Sequence, residues 1–69
     1  MKPTQDERIN AAARAIDSHG DGVRSFDLTD EQRVTDLLTS LRHHCQANDL
    51  DFTGLVRASN TQFQHEQAA

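Results

Sequence analysis

Two short stretches of this chain carry the residue types that chemistry needs: Asp17-Ser18-His19-Gly20-Asp21-Gly22 and His43-His44-Cys45. The first sets oxygen-bearing side chains at alternate positions ahead of a glycine, which is how an EF-hand calcium loop begins. In that register Asp17, His19 and Asp21 take the first, third and fifth ligand positions, with Gly22 at the sixth and Ser25 at the ninth. The twelfth position needs a bidentate Glu, and here it is Leu28. Imidazole is a poor ligand for a hard cation, and Arg24 at the eighth position brings in a repelling charge. The stretch therefore reads as a glycine-rich turn that ends a helix, and no calcium is expected on it.

The second stretch has metal-capable residues at the wrong spacing. Neighbours on a helix point about 100° apart, whereas helical metal sites use residues three or four apart. The positions that would complete such a set, Ala47, Asn48 and Asp49, offer only weak ligands. His19 and His65 join the cluster only if the fold brings them there. No metal and no other cofactor is expected. Cys45 falls on the predicted core side of its helix, where a thiol behaves as a small hydrophobe and not as a nucleophile. The chain has no glycine-rich phosphate loop, serine elbow or paired acid–base carboxylates. The reading is non-enzymatic, with no catalytic residues.

The elements that position these stretches are helices. Thr4-Gln5-Asp6-Glu7 is a capping-box pattern, and Ile9, Ala12, Ala13 and Ile16 follow at helical spacing, with Gly20 as a C-terminal stop. Helix one is expected over about 4–18. Thr29-Asp30-Glu31-Gln32 repeats the signature ahead of the cleanest apolar stripe in the chain: Val34, Leu37, Leu38, Leu41 and Cys45. This predicts helix two over 30–47, with Leu41 in the core and Cys45 beside it. Acidic residues open it and Arg42, His43 and His44 close it, as the helix dipole favours. A third pattern starts at Asp51 and sets Phe52, Leu55, Val56, Ser59 and Phe63 on one face, which predicts helix three over 52–64. The polar tail 65–69 is expected to fray. Val23, Phe26 and Leu28 form a short apolar loop between helices one and two. The expected fold is all-α: a single domain over 1–69, a small three-helix bundle with that loop packed across it.

Composition narrows the function. Only fourteen Val, Ile, Leu and Phe residues are available in 69, a thin core near the lower size limit for a chain that folds alone. Self-association or a partner is therefore expected. Seven Lys and Arg stand against eleven Asp and Glu, a net charge of −4. Arg57 is the single basic Lys or Arg of the third helix, so a helix that reads DNA is not expected. The lone Cys45 allows no internal disulfide and fits a reducing compartment. No apolar run has the length of a membrane span. The expected setting is cytoplasmic.

The stretch DLLTSLRHHCQANDLDF, Asp36 to Phe52, resembles a pattern in small helical proteins of bacterial plasmids, integrated elements and phages. Leu37, Leu38, Leu41, Arg42, His43, Cys45, Ala47, Asp51 and Phe52 carry the match. With the preceding HGDGVRSFDLTDEQRVT, the resemblance covers about half the chain. It implies a bacterial mobile-element setting and assigns no site residues. The leading expectation is a protein-binding module, an inhibitor or modulator of a host protein complex, acting alone or as a homodimer. Phe26 and Phe63 are its candidate partner-binding residues. The alternative is a dimeric transcriptional or plasmid-maintenance regulator that contacts DNA. An accessory subunit with no independent role is a third reading.

Overall fold

Both capping signatures start helices in the computed structural model, which describes residues 3–24 and 27–68. Thr4 Oγ1 accepts from the Glu7 amide and Glu7 Oε1 accepts from the Thr4 amide, each at 3.1 Å. Thr29 and Gln32 repeat this at 3.2 and 2.9 Å. Each box satisfies amides that a helix start leaves without intrahelical acceptors. Three helices follow, α1 Gln5–Val23, α2 Asp30–Ala47 and α3 Phe52–Ala68. Among the described residues there is no strand. The chain is all-α, with the three helices expected.

α1 outruns its expected end. It continues through Gly20 and Gly22 to Val23, and neither glycine takes a positive φ. The left-handed position is filled by Arg24 at φ 57°, whose N–H donates to the Asp21 and Gly20 carbonyls. A mid-helix glycine costs about 1 kcal/mol against alanine. Here Gly20 is buried, so tertiary packing overrides the local preference for a stop. α3 also runs longer, past 64 and through most of the 65–69 tail to Ala68, with Gln62 Nε2 donating to Glu66 Oε2 at 3.3 Å.

The chain divides within α2 into two compact units, Met1–Thr39 and Ser40–Ala69. In the first, Ile16 and His19 of α1 are half-buried beside the buried Gly20, and Arg33, Asp36 and Leu37 of α2 are half-buried. Arg33 Nη2 donates to Asp17 Oδ1 at 3.2 Å, and His19 Nδ1 lies 3.9 Å from Asp36 Oδ2. Leu28, from the connecting segment, is half-buried, while Val23 is the exposed last residue of α1. Phe26 lies outside the described residues.

In the second unit Cys45 is buried, 6% exposed, as the stripe predicts. Leu41 departs from expectation: it is 44% exposed and not in a core. One helix laid on another covers only a strip of its surface, so the stripe residue one turn before Cys45 stays at the edge. α2 ends in a Schellman arrangement. Asp49 takes φ 55°, the Leu50 N–H donates to Cys45 O at 2.8 Å, and the Asp49 N–H donates to Gln46 O at 3.5 Å. α3 opens with the Leu55 N–H donating to Asp51 O at 2.9 Å. A Cβ added at Gly54 would meet Asp51 Oδ2 at 2.5 Å. The glycine that weakens the helical pattern thus makes room for a carboxylate at the helix N-terminus, where the dipole favours it.

Candidate interaction surface

The apolar face of α3 is split by its surroundings. Phe52 is half-buried, with the Arg42 guanidinium 5.6 Å from its ring centroid. Further along, Leu55 is 50% exposed, Val56 41% and Phe63 60%. Between Leu55 and Phe63 stands Ser59, whose hydroxyl donates to the Val56 carbonyl at 2.7 Å. Its hydroxyl proton is thereby committed to its own helix, and the small polar residue interrupts the apolar face. Leu41 and Leu50 of the same unit are also open to solvent.

Phe63, one expected partner-binding residue, is the most exposed large hydrophobic side chain among the described residues. Phe26, the other, is outside the described residues, so the pair is not brought together here. Leu55, Val56, Leu41 and Leu50 were not picked out by sequence as surface. Leu55 and Val56 share the stripe that contains Phe63, and this spacing was the available signal. Which side of that stripe faces inward is a tertiary property.

The first unit leaves Ile9, Val23, Val34 and Leu38 exposed. It also carries an open groove lined by Leu28, Glu31, Gln32, Thr35, Asp36 and Thr39. The Thr35 and Thr39 hydroxyls donate to the carbonyls of Glu31 and Thr35, each at 2.9 Å, which ties both to the helix backbone.

The two chemistry-bearing stretches take other roles. Asp17 to Gly22 is not the expected turn; it is helix, and the α1 register sets Asp17 and Asp21 on one face and turns His19 away from them. Asp17 pairs with Arg33, and His19 faces Asp36. Cys45 is enclosed, while His43 and His44 are exposed, with His44 Nδ1 3.4 Å from Asn48 Nδ2. Among the described residues no three His, Cys, Asp or Glu side chains gather in a metal-holding group. One carboxyl is tuned by its neighbours. The Thr4 amide, and then the Thr4 side chain, hold Glu7 below the usual carboxylate value. That is capping chemistry at an exposed helix start. Among the described residues, no helix is long and apolar enough to cross a membrane. Compared with known proteins, the chain matches no family model, no curated protein and no solved structure.

Proposed function

We propose that this chain is a small non-enzymatic protein-binding module of a bacterial mobile element, one that inhibits or modulates a host protein complex. One observation carries the binding part. Nine large hydrophobic side chains, from Val56 at 41% to Phe63 at 60%, are exposed, whereas Cys45 is the buried hydrophobic residue among those described. Burial of apolar surface is the main favourable term in folding and association. A chain that leaves so much of it open gains most by being covered. The mobile-element setting rests on the resemblance of Asp36 to Phe52, and the host-complex target on that setting.

The test is affinity capture from a bacterial host, followed by reconstitution of any captured protein with the purified chain. A stoichiometric complex lost on Phe63→Asp is the expected result. Gel shift at two salt concentrations runs beside it, because nucleic-acid binding weakens steeply with salt. A salt-sensitive shift with no protein partner would replace this reading with the DNA-contacting regulator.

A further inference from the structure

We draw no further inference here: the strongest candidate, the open apolar face of α3 carried by Leu55, Val56 and Phe63, belongs to the surface already described, and nothing in the structure shows what covers it.

Discussion

The two units solve the same problem with different materials. Residues 1–39 set polar groups between helices: Arg33 on Asp17, and His19 facing Asp36, around a buried glycine. Residues 40–69 enclose a thiol, lay Arg42 over Phe52, and leave Leu41, Leu50, Leu55, Val56 and Phe63 open. Ion pairs at this exposure contribute about 0–1 kcal/mol, so the first unit is oriented by its pairs more than it is stabilised by them. The second unit has more to gain from burial, at about 25 cal/mol per Å² of apolar surface removed from water. The contrast teaches that the polar contacts decide how helices are placed, while the uncovered apolar area decides where another chain adds free energy.

The sharpest way to break this comparison is at the enclosed thiol. Cys45→Ser puts a hydroxyl where 6% of the residue is exposed, and is expected to cost about 1–3 kcal/mol, read as a lower midpoint in urea. A loss no larger than that of Arg33→Ala would mean that the two units are not held by different means. In the folded parent Cys45 should also label slowly with a thiol reagent.

A smaller effect comes from the helix ends. Arg24 and Asp49 both sit in the left-handed region that closes a helix, at φ 57° and 55°. Glycine there relieves up to about 1 kcal/mol. Asp tolerates this conformation better than Arg through its short, locally bonding side chain. Arg24→Gly is therefore expected to raise the thermal midpoint more than Asp49→Gly does. The reverse order would show that the α1 end is held by contacts that the glycine disturbs.

The smallest effect separates the two capping boxes. Glu7 has its folded value below the unfolded carboxylate value. Its contribution is present above the unfolded value and is lost as pH falls through the folded one. The Thr29–Gln32 box does not titrate. Amide exchange at the start of α1 should therefore quicken at acid pH in the parent relative to Glu7→Gln, with no such difference at the start of α2. Equal behaviour of parent and variant across the range would remove the charge from the account.

Helix starts were legible because they are local: Thr4 with Glu7 and Thr29 with Gln32 need only four residues each, and α2 begins and ends where its pattern predicts. Helix ends were less so. Gly20 is a stop by propensity, yet the helix passes through it to Val23, and the glycine is buried there. The candidate surface was half legible, since Phe63 and its stripe were visible while the exposure of Leu41 was not.

By itself the sequence determined the all-α class, the three helices, their two capping boxes and the enclosed position of Cys45. These follow from periodicity and hydrogen bonds within a turn or two. Only the tertiary structure decided that α1 runs on to Val23, that the Asp17–Gly22 stretch serves as packed helix, and which side of each apolar stripe remains open. An amphipathic pattern states that a face must be covered. Whether its own chain covers it depends on how wide a strip one neighbouring helix can shield, and that is a matter of three-dimensional packing.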